Sequence, residues 1–151
     1  MDTGLIPKDR SFLSTGKGLA VVLLWLQGSY YLATGIWPLV SIKSFQAVTG
    51  PKTDHLVTGR EEDHWLVMTV AALIVAIAIP LLHAAWRRAP SFDLAVLAIG
   101  VSIALAAVDT IYVTRGVLAS IYLLDAAAEV VFLLLWTILL VIGRRTTMRS
   151  P

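Results

Sequence analysis

The sequence predicts an all-α integral membrane protein, a single domain of 151 residues that forms a bundle of four transmembrane helices. Composition is the first reason, because 58% of the residues are hydrophobic, only 15% are charged and the mean hydropathy is +0.80. Soluble domains are nearer to about 45–50% apolar and about 25% charged. Distribution is the second reason, because the apolar residues form four runs. Each run approaches the roughly 20 residues that are needed to cross a bilayer.

The four predicted spans cover residues 18–37, 65–86, 92–113 and 117–142. Continuous apolar runs of this length lack the alternation of polar and apolar residues that is typical of membrane-barrel strands. Basic residues precede the first span, as they do in a signal peptide. However, its apolar run continues past Gln27 to Trp37, and no small-residue cleavage site follows. We therefore expect the first span to be retained as a helix.

The loop between the first and second spans is long enough to contain a further helix. Its segment SIKSFQAVTGPK places Ile42, Phe45 and Val48 near one face, and Gly50 and Pro51 follow as stop signals. A short amphipathic helix of this kind lies in the membrane interface. We therefore expect a short interfacial helix in this first outer loop, whereas the tight connections after the second and third spans predict antiparallel neighbours.

The Lys and Arg residues near the span ends predict how the bundle is oriented. One side of the predicted bundle carries eight of them: Lys8, Arg10, Lys17, Arg87, Arg88, Arg144, Arg145 and Arg149. The other side carries four: Lys43, Lys52, Arg60 and Arg115. Basic residues accumulate in cytoplasmic segments. We therefore expect a multi-pass protein of the inner, cytoplasmic membrane with both termini in the cytoplasm.

Polar side chains of all four spans converge on one depth when the spans are aligned antiparallel with a rise of about 1.5 Å per residue. This depth is the outer half of the bilayer, whereas the inner halves of the spans are mostly Leu, Ile, Val and Ala. The residues that we predict to form a polar, carboxylate-lined pocket there are Gln27, Tyr30, Tyr31, Asp109, Tyr112, Arg115, Tyr122, Asp125 and Glu129. Glu129 lies about 18 Å from the predicted outer end of the fourth span, close to the bilayer centre.

The acids of the fourth span are the most informative of these residues. Tyr122, Asp125 and Glu129 have i, i+3, i+7 spacing and so form one stripe along the helix. A charge at the membrane centre costs at least about 2.5–3.5 kcal/mol, so we expect this stripe to face the bundle interior. We also expect at least one of the two acids to be protonated at neutral pH, or the pair to share a proton. Arg115, at the outer mouth, could pair with Asp109 or Asp125.

Three functions are compatible with this pocket. The favoured one is binding or conduction of a proton, a cation or the polar head of an amphiphile. Alternatively, the acids are hydrogen-bond partners that fix helix packing at about 0.6–2 kcal/mol each, and the protein is an accessory subunit of a larger membrane complex. An enzyme acting on a lipid or isoprenoid, with Asp125 and Glu129 as acid and base, is less favoured. No nucleophile, metal or cofactor element accompanies these two acids in the sequence.

Several other classes of chemistry are excluded by the sequence. Cysteine is absent, which excludes thiol redox chemistry, thiolate metal sites and disulfides. The HExxH, P-loop, GxGxxG and GxSxG motifs are also absent, so we predict no catalytic residue, metal or cofactor. The net charge of +2 and the basic residues at span ends favour lipid headgroups over nucleic acid. The expected partners are the bilayer and either further copies of this chain or a larger membrane complex.

Overall fold

The computed structural model describes residues 16–50 and 64–147, and every regular element within these ranges is a helix. The helices are α1 (Lys17–Val40), α2 (Ile42–Thr49), α3 (His64–Trp86), α4 (Phe92–Thr114) and α5 (Tyr122–Thr147). Helices α1, α3, α4 and α5 are each long and apolar enough to cross a membrane. The predicted fold class is thus confirmed: the chain is a multi-pass membrane protein built as a four-helix bundle with one short additional helix.

Helix α5 begins at Tyr122, five residues after the start that the apolar pattern predicts for the fourth span. The reason is the turn that ends α4. Gly116 adopts a φ of 69°, a left-handed conformation that glycine adopts without steric cost. The N–H groups of Val117 and Leu118 then return to the carbonyl oxygen of Tyr112, at 2.9 and 3.1 Å. The apolar residues that follow Gly116 therefore form a turn.

Close packing of α1 against α3 depends on two glycines of α1. A Cβ atom added at Gly28 would lie 2.9 Å from Cγ of Leu82, and one added at Gly35 would lie 2.9 Å from the carbonyl oxygen of Ala71. Small residues at such points allow membrane helices to approach closely. Helices α4 and α5 form a second close pair, and contacts between the two pairs are sparser. The bundle therefore consists of two helix pairs, α1–α3 and α4–α5, that meet across one interface.

The end of the bundle next to the α3–α4 turn is filled with apolar side chains. Buried residues of all four long helices contribute to it: Ala20, Leu23, Leu24, Leu81, Ala84, Ala85, Ala95 and Leu139. We call this region the apolar end. Small and aliphatic side chains at these positions bring the two helix pairs into contact, and none of the buried polar residues among those described lies at this end.

Helix α2 packs at the opposite end of the bundle, which we call the α2 end. Ser41 is its N-cap and accepts a hydrogen bond from a backbone N–H of the first turn at 3.3 Å. Trp37 of α1 packs edge-on against Phe45, with 5.6 Å between the ring centroids. The side chain of Gln46 lies 3.1 Å from Nε2 of His64 at the start of α3. These contacts hold α2 against α1 and α3.

The predicted amphipathic helix is therefore present, but its inward face differs by one residue. Phe45 is half-buried and Thr49 is buried, whereas Val48 is 54% exposed. Positions 45 and 49 share a face because they are about one turn apart, and position 48 lies about a quarter of a turn away from that face. Thr49, and not Val48, thus faces the bundle together with Phe45. Pro51, the second predicted stop signal, lies outside the described residues.

Candidate functional site

Five side chains form a buried polar layer across the middle of the bundle. They are Gln27 and Tyr31 of α1, Ser102 of α4, and Glu129 and Trp136 of α5, and none is more than 1% exposed. Burying polar groups costs free energy unless they are hydrogen-bonded. These groups find partners in one another across the interface between the pairs α1–α3 and α4–α5. The buried polar layer therefore joins the two pairs.

Gln27 is the centre of the buried polar layer. Its Nε2 donates toward the Tyr31 hydroxyl at 2.9 Å, Oγ of Ser102 at 3.0 Å and the carbonyl oxygen of Ala98 at 3.2 Å. Its Oε1 accepts a hydrogen bond from Nε1 of Trp136 at 2.8 Å. One amide group thus contacts both helices of the opposite pair.

Glu129 is the most deeply buried acid among the described residues, with none of its surface exposed. The Tyr31 hydroxyl donates to its Oε2 at 2.8 Å. Its other oxygen, Oε1, is buried and has no hydrogen-bond partner in residues 16–50 and 64–142. A buried polar atom without a partner costs roughly 1–3 kcal/mol. Oε1 of Glu129 therefore marks a position where a hydrogen-bond donor would be stabilised.

Asp125 lies one turn before Glu129 on the same face of α5 and is only partly buried. The Tyr30 hydroxyl donates a hydrogen bond to its Oδ1. The Tyr30 ring packs on Phe132, with 5.8 Å between the ring centroids. Each of the two acids of α5 thus has its own tyrosine donor on α1, and adjacent tyrosines reach acids that are four residues apart.

A cavity of about 430 Å³ lies between the buried polar layer and α2. Phe45 of α2 is among the residues that line it. The polar residues that line it are Tyr30, Tyr31, Thr34, Thr49, Asp109, Tyr122, Asp125 and Glu129. Its walls are largely aliphatic and comprise Leu66, Val67, Val70, Ala71, Ile74, Leu105, Val108, Leu118 and Ile121. The cavity therefore has an acidic floor and apolar walls.

The side of the cavity between α3 and α4 is sparsely packed. These two helices make few contacts with each other among the described residues. Val70 of α3 and Val108 of α4 both line the cavity, yet they are 50% and 49% exposed. We therefore expect a molecule from the surrounding apolar phase to approach the cavity between these two helices.

Six of the nine residues predicted to form the pocket line this cavity: Tyr30, Tyr31, Asp109, Tyr122, Asp125 and Glu129. Gln27 lies beneath the cavity in the buried polar layer. Tyr112 and Arg115 are exposed at the end of α4, away from the cavity. The Arg115 guanidinium carbon lies 5.8 Å from the centroid of the Tyr112 ring, a cation–π contact. The structure thus brings together the acids and three of the tyrosines but not the cation.

Two members of the buried polar layer were not predicted as site residues. Ser102 lies in a stripe of small residues on α4, between Ala98 and Ala106. The spacing of this stripe predicts that another helix approaches closely. It does not predict that the Ser102 hydroxyl contacts Gln27. Trp136 lies seven residues after Glu129 and so continues the stripe of Asp125 and Glu129 by two turns. A buried tryptophan N–H generally needs an acceptor. The need for an acceptor and the position on the stripe together predict that Trp136 faces the polar interior of the bundle.

The chemistry available in the cavity is that of hydrogen-bond acceptors in an apolar enclosure. In the part of the chain that the structure describes, no three His, Asp or Glu side chains lie close enough together to hold a metal ion. The carboxylates can accept hydrogen bonds from a ligand or balance a positive charge on it. The aliphatic walls can contact an apolar group.

No protein-family model, curated protein or solved structure matches this chain.

Proposed function

We propose that the protein binds the polar head of a small amphiphile in the cavity, with Asp125 and Glu129 as the residues that contact the head group. One observation carries this proposal: Oε1 of Glu129 is fully buried without a hydrogen-bond partner among the described residues, and Glu129 lines a cavity of about 430 Å³. Ligand-binding cavities have volumes of about 300–1,000 Å³ and combine apolar walls with a few polar groups.

Binding is favoured over conduction because the remainder of the bundle is filled. Beyond the buried polar layer, the apolar end contains Leu24, Leu81 and Leu139, all buried and in one contiguous core. A hydrated proton or ion finds no polar partner among these side chains. An amphiphile is favoured over a bare ion because the walls of the cavity are aliphatic. The sparse packing between α3 and α4 also supports a ligand that partitions into lipid.

We infer the orientation from the distribution of basic residues. In the topology predicted from the sequence, eight of the twelve Lys and Arg residues belong to the segments on the same side of the membrane as the two termini. This bias supports an orientation with the termini in the cytoplasm and the cavity in the outer leaflet of the cytoplasmic membrane. Because the chain has no cysteine, single cysteines can be introduced without a background. Lys43→Cys on α2 should react with a membrane-impermeant maleimide in intact cells, and Arg87→Cys after α3 only after permeabilisation. The reverse pattern would contradict the orientation.

The binding function is tested with the double variant Asp125→Asn/Glu129→Gln, which keeps the shapes of the side chains and removes both carboxylates. The full-length protein is placed in nanodiscs of neutral lipid and titrated with n-decylamine by calorimetry, with empty nanodiscs as the reference. We expect the double variant to lose affinity at least tenfold. Asp93→Asn removes an exposed acid at the other end of the bundle and should leave affinity unchanged. Equal affinity in a folded, inserted double variant would contradict the proposal.

A further inference from the structure

The cavity assigns its ligand to a chemical class: we propose that the head group is an amine that carries at least one N–H, on an apolar chain. This inference rests on the proposed function, because it specifies which amphiphile the same cavity takes. It follows from the charge of the lining, the hydrogen bonds that the acids already make and the shape of the remaining space.

The charge of the lining favours a positive ligand. Asp109, Asp125 and Glu129 line the cavity, and none of the described residues that line it is Lys, Arg or His. Arg115 lies against Tyr112 and outside the cavity. A carboxylate in an apolar environment is stabilised by a cation or by a proton. An anionic head group would add a further negative charge to a site that already contains three acids.

The hydrogen bonds of the acids leave one acceptor atom available to a donor from the ligand. The hydroxyl protons of Tyr30 and Tyr31 are already donated to Asp125 and to Oε2 of Glu129. The second oxygen of Glu129 remains without a partner among the described residues. An N–H group supplied by the ligand fills this position. One exchangeable proton lies between the amine nitrogen and Oε1 of Glu129. The hydrogen bond between these two atoms forms whichever of them holds that proton.

The spacing of the two acids favours an amine over an alcohol or a quaternary ammonium. Asp125 and Glu129 are separated by one helical turn, about 5–6 Å between their Cβ atoms. A protonated primary amine has three N–H groups and a protonated secondary amine has two, so either can donate to both carboxyl groups at once. An alcohol donates once and carries no charge. A quaternary ammonium carries the charge but has no N–H, so it leaves Oε1 of Glu129 unsatisfied.

Three probes of equal chain length separate these possibilities: n-decylamine, decyltrimethylammonium and n-decanol. Each is titrated into the full-length protein in nanodiscs of neutral phosphatidylcholine, with empty nanodiscs subtracted. We expect decylamine to bind at least about tenfold more tightly than either other probe. A charge-assisted hydrogen bond corresponds to a difference of at least this size. The comparison uses the unmodified protein, so it does not depend on the folding of any variant.

Glu129→Gln then identifies the acceptor. We expect this variant to lose about tenfold or more in affinity for decylamine and to bind decanol nearly unchanged, whereas Asp93→Asn should bind all three probes as the native protein does. If decyltrimethylammonium or decanol binds as tightly as decylamine, the cavity binds amphiphiles but the assignment to amines is wrong. If none of the three probes binds, the proposed function itself is wrong and this inference fails with it.

Discussion

From Gln27 toward the α3–α4 turn the bundle is filled with side chains, and from Gln27 toward α2 it encloses a cavity of about 430 Å³. The same four helices build both ends, so helix length and pairing do not explain the difference. Side-chain chemistry does. The apolar end is occupied by alanine and leucine residues in mutual contact, whereas the α2 end carries Asp125 and Glu129 beside open space.

The difference indicates that packing alone did not determine the residues of the α2 end. A cavity costs stability because the atoms that line it lose dispersion contacts, and a buried acid costs more still. The apolar end demonstrates that this arrangement of helices can be filled. Local departures from good packing are expected at functional sites, where other requirements select the residues. The following substitutions test whether the two ends differ in this way.

The largest loss of stability is expected for Gln27→Leu, which breaks the buried polar layer at the boundary between the two ends. The substitution removes four side-chain contacts. Hydrogen bonds within membranes average about 0.6 kcal/mol and reach about 1.7 kcal/mol, so we expect a loss of about 2–4 kcal/mol in the free energy of unfolding. The measurement is unfolding by sodium dodecyl sulfate in mild-detergent micelles, followed by circular dichroism.

The matched control for Gln27→Leu is Thr137→Val on the exposed face of α5. The Thr137 hydroxyl donates to a backbone carbonyl of its own helix at 2.7 Å, so its removal should change stability by less than about 0.5 kcal/mol. A Gln27→Leu variant as stable as this control would mean that the buried polar layer does not hold the two helix pairs together.

The second-largest effect is expected for Gly35→Ala, at the α2 end of the α1–α3 contact. The added Cβ would lie 2.9 Å from a backbone oxygen and 2.8 Å from Cγ2 of Val75. Because backbone cannot rotate away as a flexible side chain can, we expect a loss of about 2–3 kcal/mol. Gly100→Ala is the control, since nothing lies within 4 Å of its added Cβ and alanine favours a helix more than glycine does. If both variants are equally stable, α1 and α3 are not closely packed.

A third pair of variants adds the same atoms to each end. Leu139 is buried in the apolar end and Leu105 lines the cavity. Leu139→Phe should overpack the core and cost about 1–3 kcal/mol. Leu105→Phe should change stability by less than about 0.5 kcal/mol and lower decylamine affinity, because the added atoms occupy the cavity. Equal stability losses of the two variants in the same unfolding assay would contradict the conclusion that the apolar end is filled and that the α2 end contains open space.

The stripe of acids was predictable because it depends on local geometry. Asp125 and Glu129 lie four residues apart, and any helix places such residues on one face whatever its neighbours are. The cost of an acid in lipid then requires that face to point inward. The tyrosines of α1 were predictable for a related reason, since aligning the spans by depth places Tyr30 and Tyr31 at the level of these acids.

Other features depend on contacts between helices and could not be predicted in the same way. The stripe on α5 could have predicted that Trp136 faces the bundle interior, but only the rotation of α5 against α1 places its N–H beside Gln27. Arg115 directly follows α4 and precedes the turn at Gly116, which has a positive φ. Its guanidinium lies over the Tyr112 ring. Sequence separation of 109 residues between Gln27 and Trp136 leaves no local pattern that could reveal the pairing.

The smallest effect expected is the difference between two tyrosine variants, and it tests whether burial distinguishes the two acids. Tyr31→Phe removes the donor to Glu129, which is fully buried, and also an acceptor of Gln27. Tyr30→Phe removes the donor to Asp125, which is partly exposed and can find another donor. We expect losses of about 1–1.5 kcal/mol for Tyr31→Phe and of about 0.5 kcal/mol for Tyr30→Phe in the same unfolding assay. An equal loss of stability in both variants would mean that Asp125 and Glu129 depend equally on their tyrosine donors. Burial would then not distinguish the two acids of the α2 end.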